Sequence, residues 1–320
     1  MISSYIETDL KKCELLWKEF SPQQSLFDLW NFCLDMCLAY DHEPYFVVLE
    51  EDNKNVGILP LCYIKDKKCY FWFGGWWQEG ISFWVKKVDY IPVLLSLCPD
   101  RTFLKSISIN DEKAIEKIKD FVSTRPQPKT DFGLDDEKYI LDISEIKSFN
   151  DYLSKMNKKR RKYIKKNLQP IEERKPEVSF NNFSDFERLV FFAKERFKKD
   201  EIDENSPWDN DCWKNPAQTK AFHDIMKHSG DNYQIRMITV KIDGEMAGAD
   251  IIAIFNGCYY ALAGGYNVKK FPGIGSYFNM LNISDALSLG LNKIDVLQGD
   301  CDWKHRWYEK VLLYYFSYES

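Results

Sequence analysis

A chain of 320 residues with a net charge of −5, 45% hydrophobic and 16% aromatic residues can bury a substantial core and is too apolar to be disordered. Its slight acidity gives no global attraction to nucleic acid or to an acidic membrane surface, so no DNA partner is expected. Nine cysteines, an odd number with no Cys-x-x-Cys pair or zinc-spaced Cys/His cluster, point to reduced thiols, no metal and a cytoplasmic location.

The stretch Met1 to Asp9 lacks a basic segment followed by an apolar run, which predicts no signal peptide. No window of about 18 uninterrupted apolar residues offers a transmembrane segment. The first strong element is an amphipathic helix, in which Leu26, Leu29, Trp30, Cys33, Met36, Cys37 and Tyr40 keep a helical period after Pro22. Cys33 and Cys37 fall on its apolar face and read as core. Strand runs follow at Tyr45 to Leu49 and Val56 to Tyr63, joined by a polar turn at 51–55, and a third at Cys69 to Phe73 ends in Gly74-Gly75. Trp76, Trp77 and Trp84 read either as core or as cleft lining.

The segment 146–170 links two halves, 1–145 and 171–320. Eight positive charges fall within Lys155–Lys166, while Leu153, Met156, Tyr163 and Ile164 keep an apolar stripe. The pattern predicts one basic helix with a docked face, ended by Pro170. Its charged face is either simply solvated or turned toward an anionic ligand.

In the second half Ser184-Asp185-Phe186-Glu187 reads as a capping box opening a helix to about Lys198, and Asn215-Pro216 as cap and first residue of another. Asp203 to Trp213 reads as a loop that could serve as a lid. Strands at Gln234–Lys241, Met246–Phe255 and Cys258–Ala263 are separated by Asp243-Gly244 and Asn256-Gly257, strong hairpin signals. Lys269-Lys270-Phe271-Pro272-Gly273-Ile274-Gly275-Ser276 then joins the last of them to a helix with a stop at Gly290. Such a loop aims several main-chain N–H groups at one spot, at the positive end of a helix, and suits a phosphate or pyrophosphate; the same glycines also suit a plain tight turn. Strands at Lys293–Leu297 and Val311–Tyr318 complete the half. Both halves follow a helix-then-meander order, but the first lacks a Gly-x-Gly loop and reads as a degenerate copy that shapes the acceptor pocket.

The spacing Lys270-x-x-Gly273-x-Gly275 resembles the (Gln/Arg)-x-x-Gly-x-(Gly/Ala) loop of the GNAT acyltransferases, with lysine at the first position. The block Asp295 to Trp307 resembles the signature of the GNAT subfamily named for cellulose-synthesis operons, relatives of the Fem peptidyltransferases, with Trp303 where that pattern usually has Tyr. The resemblance implies an α+β fold of two tandem GNAT-like units, each a mixed, mostly antiparallel sheet flanked by helices. It implies acetyl-CoA or another acyl-CoA as co-substrate, held by Ala263, Gly264, Gly265, Lys270, Phe271, Pro272, Gly273, Ile274, Gly275 and Ser276. A main-chain N–H near Ala263, Gly264 or Gly265 would meet the oxyanion, and the basic helix would face the 3′-phosphate of CoA, a tRNA or a phosphorylated acceptor.

Direct attack of an amine on a thioester needs a base, an oxyanion donor and a proton for the departing thiolate. The base candidates are Asp250, which could equally point to solvent, Asp300 and Asp302, with Asp300 preferred at its strand end. Lys304 would neutralise charge on the acceptor or intermediate, and Tyr308 would protonate the thiolate. His305 is a further base candidate, and Cys301 and Cys258 are nucleophile candidates without a visible base partner. The expected function is N-acyl transfer from acyl-CoA to a small-molecule or peptide amine. The alternatives are a Fem-like transferase fed by aminoacyl-tRNA, with tRNA as partner, and a binding protein that kept the fold without chemistry.

Overall fold

The computed structural model describes residues 1–125, 130–197 and 213–319. It opens with strand β1 (Ile2–Glu7) and helix α1 (Leu10–Phe20), neither singled out by the sequence pattern. Asp9 caps α1 by accepting the Lys11 and Lys12 amides, each at 3.0 Å. The helix expected from Leu26 starts later. Asp28 Oδ2 accepts the amides of Gln24 and Ser25, folding Leu26–Asp28 into a 3-10 turn, and α2 runs Trp30–Ala39 with Cys33 and Cys37 buried. The expected meander follows as β2 (Glu43–Glu51), β3 (Lys54–Ile64) and β4 (Cys69–Trp72). Then come β5 (Trp84–Val85), α3 (Tyr90–Ser96), β6 (Thr102–Ile107), α4 (Glu112–Ser123) and β7 (Thr130–Leu134).

After β8 (Lys138–Asp142) the basic stretch divides into two helices, α5 (Phe149–Lys155) and α6 (Lys158–Glu172). Asn157 caps α6, its Oδ1 accepting the Arg160 amide at 2.9 Å. Pro170 does not end this helix: it lies inside it, and the buried Ile164, Leu168 and Ile171 hold the face on either side. The docked stripe therefore outweighs the one N–H the proline lacks.

The second half continues with β9 (Glu177–Phe180), α7 (Phe186–Phe197), α8 (Pro216–Lys227), β10 (Gln234–Ile242), β11 (Glu245–Phe255), β12 (Cys258–Tyr266), α9 (Ile274–Ser288) and β13 (Lys293–Gln298). Asn215 caps α8 as expected, accepting the Ala217 amide at 2.9 Å. The capping box expected at Ser184 does not form, because its hydroxyl donates to Asn182 Oδ1 at 2.7 Å. Most of the loop expected at Asp203 to Trp213 lies outside the described residues, as does Lys198. Both hairpin turns take positive φ at both central residues, 54° and 76° at Asp243-Gly244 and 48° and 71° at Asn256-Gly257. These are the twisted turns that match antiparallel strands.

The run expected as one strand, Val311–Tyr318, is two: β14 (Glu309–Val311) and β15 (Tyr314–Tyr318). Between them Leu313 is buried and its carbonyl accepts the Asp135 amide at 2.9 Å, and the chain crosses from one sheet to the other. Among the described residues the strands form two sheets. One has the order β1-β2-β3-β4-β6-β15-β7 with β5 beside β3, the other β14-β8-β13-β12-β11-β10-β9. Pairing is antiparallel except at β4/β6 and β12/β13. The fold is thus α+β, two mostly antiparallel sheets flanked by helices.

The halves are not loosely tethered. Helices α2 and α8 pack together, and one hydrophobic core runs from Trp17 and Phe32 of the first half to Phe222 and Tyr260 of the second. Polar ties cross the same boundary: Leu26 N–H donates to Tyr260 Oη at 3.2 Å in the core, and Asp35 Oδ2 lies 2.7 Å from Nδ1 of the partly exposed His228. No helix among the described residues is long and apolar enough to cross a membrane.

Candidate active site

The two parallel neighbours in the second sheet part company along their length. β12 and β13 pair only at Cys258/Lys293, Tyr259/Ile294 and Tyr260/Asp295. Beyond that point Ala261–Gly264 on one strand and Val296–Gly299 on the other line a cleft of about 370 Å³. Two irregularities open it. β12 carries a bulge at Leu262, skipped between the partners of Ile251 and Ile252. β13 shifts register against β8 after Asp295, and Leu297 takes a left-handed φ of 65°. That conformation is costly for leucine and is held from both sides. Asp295 Oδ1 accepts the Leu297 amide at 3.0 Å, while Lys304 Nζ donates to the carbonyls of Leu297 and Gln298 at 3.2 and 2.7 Å.

On the cleft floor sits Asp250, projecting from β11 and 3% exposed. Its Oδ1 accepts the Tyr266 hydroxyl at 2.5 Å and its Oδ2 accepts Asn282 Nδ2 at 2.8 Å. Burial pushes its carboxyl up to about 6, and the hydrogen bonds from Tyr266 and Asn282, with the charge of Arg196, hold it from rising further. Asn282 is itself fixed: Tyr259 donates to its Oδ1 at 3.1 Å, and Tyr259 also reaches Asp285, which Arg236 clamps with two nitrogens at 2.7 and 2.8 Å. Gly264 lies under the pair, and a Cβ there would fall inside the shells of Asp250 Oδ1 and Tyr266 Oη. A glycine at this position is therefore a packing requirement of the carboxylate.

A second cavity of about 340 Å³, lined by Tyr163, Gly273, Gly275, Ser276 and Trp307, shares Arg196, Tyr266, Asn279 and Trp303 with the first. It leads from the splayed strands to the N-terminus of α9. Gly273 takes a φ of 94° there and forms the helix cap without a side-chain hydrogen bond. The Ile274 amide bonds to Phe271 O at 3.2 Å, and the helical ladder begins with Tyr277 N–H on Gly273 O. The amides of Gly273, Gly275 and Ser276 have no acceptor among the described residues. Helix α6 crosses immediately behind the loop, where a Cβ on Gly273 would lie 2.5 Å from Asn167 O; at Gly275 it would meet nothing nearer than Tyr266 at 3.9 Å.

The first half supplies the opposite wall. Trp76, Trp77 and Glu79 face the splayed strands, joined from the second half by Trp213 and by Gln218 on α8. Both Glu79 oxygens accept the Gln298 amide at 3.0 Å, and Lys138 Nζ lies 3.6 Å from Glu79 and 2.8 Å from Asp295. Burial pushes the Glu79 carboxyl up, opposed by the Lys138 charge.

The sequence candidates divide accordingly. Ala263 and Gly264 line the cleft, and Gly265 is buried where α7 leaves no room for a Cβ. Gly273, Gly275 and Ser276 line the second cavity, Phe271 and Ile274 are buried behind the loop, and Pro272 is exposed. Lys270 turns to Glu245, 2.6 Å away. Asp300, preferred as base, is held by His305, whose Nδ1 lies 2.6 Å from Oδ2 and whose amide donates to Oδ1 at 2.9 Å. Burial raises its carboxyl, yet the His305 hydrogen bonds leave it below its ordinary value, a poor proton acceptor. Lys304 lines the cleft with its amine committed to two carbonyls, and burial lowers its pKa. Tyr308 is buried behind Asn279, to which its hydroxyl donates at 2.8 Å. Cys258 is buried with its thiol pushed up to about 12 by burial, and Cys301 is exposed.

Arg196, Tyr266, Asn279 and Asn282 carried no local signature. Asp250 did: it is the charged residue in the otherwise apolar run Met246–Phe255, and such a position is costly unless it is used.

Residues 158–305 match a family model described as an acetyltransferase (GNAT) domain. In fold the chain is similar to FemX, with a TM-score of 0.59 and 12% identity, covering 99% of this chain and 97% of that one. Its fold is also similar to that of a tandem GNAT protein from the clavulanic acid biosynthesis pathway, with a TM-score of 0.56 and 8% identity over 99% and 98% of the two chains. L-PGS from Bacillus licheniformis gives a TM-score of 0.55 at 10% identity, over 98% and 92%. A comparison with curated proteins finds no match.

Proposed function

We propose that the protein is an N-acyltransferase that moves an acetyl or other acyl group from acyl-CoA to an amine by direct attack. The observation that supports this reading is the pair of adjoining cavities, sharing Arg196, Tyr266, Asn279 and Trp303, that lies between the splay of β12 and β13 and the amides of Gly273, Gly275 and Ser276, which have no acceptor among the described residues. A diphosphate at the helix N-terminus would leave its thioester arm room to run along β12 toward Asp250. The exposed lysines of α6, which packs behind the loop, offer charge for the 3′-phosphate.

The chemistry follows from placement. An ammonium group entering from the tryptophan-lined side gives one proton to Asp250, whose pKa of about 6 leaves it ionised at neutral pH and basic enough to serve. The free amine attacks the thioester carbon, and a β12 amide beyond the bulge receives the oxyanion. As the C–S bond breaks, the second nitrogen-bound proton goes to the thiolate. Tyr308 acts through Asn279, fixing a side chain that lines both cavities, and Lys304 acts by stapling the strained end of β13.

Incubation with acetyl-CoA and a panel of amines, read by product mass and thiol release, tests the reading; acetyl-CoA that binds with no product from any amine would contradict it. A Fem-like reading has one specific support, the basic α6 beside the groove in a chain whose full length shares the fold of FemX. Salt-sensitive tRNA binding competing with CoA would favour it.

A further inference from the structure

The cleft wall formed by Trp76 and Trp77 of the first half and Gln218 of α8 contains donors without an acceptor among the described residues. The indole N–H groups of Trp76 and Trp77 and the side-chain amide nitrogen of Gln218 are buried and have no hydrogen-bond partner among the described residues, although all three residues line the cleft. Trp77 is 8% exposed and Gln218 is fully buried. Gln218 is held in place, its Oε1 accepting the Tyr40 hydroxyl at 3.3 Å. An orphaned buried donor costs about 1–3 kcal/mol, and three at one wall are an unusual concentration outside a site that receives a partner.

The partner's chemistry can be read from the same wall. It must bring hydrogen-bond acceptors. Those acceptors are better neutral than anionic, because Glu79, Asp136 and Asp250 outnumber Arg196 and Lys304 around the cleft, and the Lys304 amine is already committed to two carbonyls. It must also present flat apolar faces, because Trp76, Trp77, Trp213 and Trp303 supply indole rings around the space. Hydroxyl oxygens on a saturated ring meet all three demands. We infer that the amine acceptor is a polyhydroxylated ring amine of the amino-sugar class, its hydroxyls received by Trp76, Trp77 and Gln218. This inference rests on the acyltransferase reading and names the acceptor of the same cleft.

The test compares D-glucosamine, a glucosamine oligomer and cyclohexylamine as acceptors with the intact protein, with acetyl-CoA binding measured separately by calorimetry. Cyclohexylamine keeps the ring and the amine and lacks the hydroxyls. The expected result is a kcat/KM, expressed on the free-amine fraction of each acceptor, for glucosamine or its oligomer at least about a hundredfold above that for cyclohexylamine, since a site built to hydrogen-bond rejects analogues that cannot. Which of the two sugars is faster distinguishes a free from a chain-linked source. Trp77→Phe, which keeps the ring and removes one donor, is expected to cut the preference about fivefold, and Trp76→Phe serves if that variant does not fold. Equal rates, a preference for cyclohexylamine, or bound acetyl-CoA with no transfer to either sugar overturns the inference and leaves the co-substrate reading standing. Absence of acetyl-CoA binding removes both.

Discussion

Tyr266 donates a hydrogen bond to Asp250 across 2.5 Å, directly over a glycine where a Cβ would clash with both oxygens. The pair links adjacent strands, β11 and β12, and places the most buried carboxylate of the cleft beside the backbone that the splay exposes.

Asp250→Asn should lower kcat about 100- to 1,000-fold, the usual worth of a positioned base, without unfolding the protein. Because burial raises the Asp250 pKa to about 6, the wild-type kcat should fall as pH drops below that value, and the variant should lose this acidic limb. The stability effect has the opposite sense. A carboxyl whose folded pKa is raised favours folding fully below about 3.8 and loses that contribution as pH rises through about 6. At neutral pH the variant sheds a buried charge but sets an amide donor against Asn282 Nδ2, so its stability by denaturant unfolding should stay within about 1–3 kcal/mol of wild type. A pH–kcat profile that keeps its acidic limb in Asp250→Asn would reassign the base.

Gly264→Ala should displace Asp250 and Tyr266 from each other. Overpacking of this kind costs about 1–3 kcal/mol, and the lost geometry should reduce kcat while leaving CoA affinity within about twofold. Thermal unfolding and calorimetry read the two effects separately.

Lys138→Met should be the most destabilising of these changes. It leaves the buried Asp295 and the largely buried Glu79 without their cation, a loss of about 3–5 kcal/mol by the usual cost of breaking a buried ion pair. Since Glu79 belongs to the first half and Asp295 to the second, denaturant unfolding should remain one transition at lower midpoint, with transfer activity lost in parallel. A change below about 1 kcal/mol would mean that the triad does not tie the halves together.

Much of this architecture was legible in the residues. The Asp-Gly and Asn-Gly turns, the glycine loop, the stop at Gly290 and the meander order follow from local backbone chemistry, and the structure has them. What the sequence hid was non-local. Nothing near Tyr314–Tyr318 announces that it pairs with β6 and β7 of the other sheet, more than 170 residues away. Asp250 was visible as a charge in an apolar strand, but its burial depends on Asn282 and Tyr266 arriving from elsewhere. Asp300 looked better placed at a strand end, and its tie to His305 is a contact between side chains that spacing alone does not specify. Pro170 failed as punctuation because tertiary docking outweighed its local preference, and Ser184 because its hydroxyl is taken by a competing local acceptor, Asn182 Oδ1.

The grip of main-chain amides on a diphosphate is the claim to press hardest, and Gly275 rather than Gly273 is the place to press it. Gly273 combines a φ of 94° with the close approach of Asn167, so any side chain there disturbs the loop itself. At Gly275 there is room, and an aspartate in the first turn of α9 suits the helix while setting a negative charge among the waiting amides. Calorimetric titration of CoA into wild type and Gly275→Asp, with melting temperatures recorded for both, is the direct measurement. Binding by wild type with at least about a hundredfold weaker binding by a fully folded variant is the predicted result. Wild-type affinity in Gly275→Asp, or no binding by either protein at millimolar CoA, would contradict it.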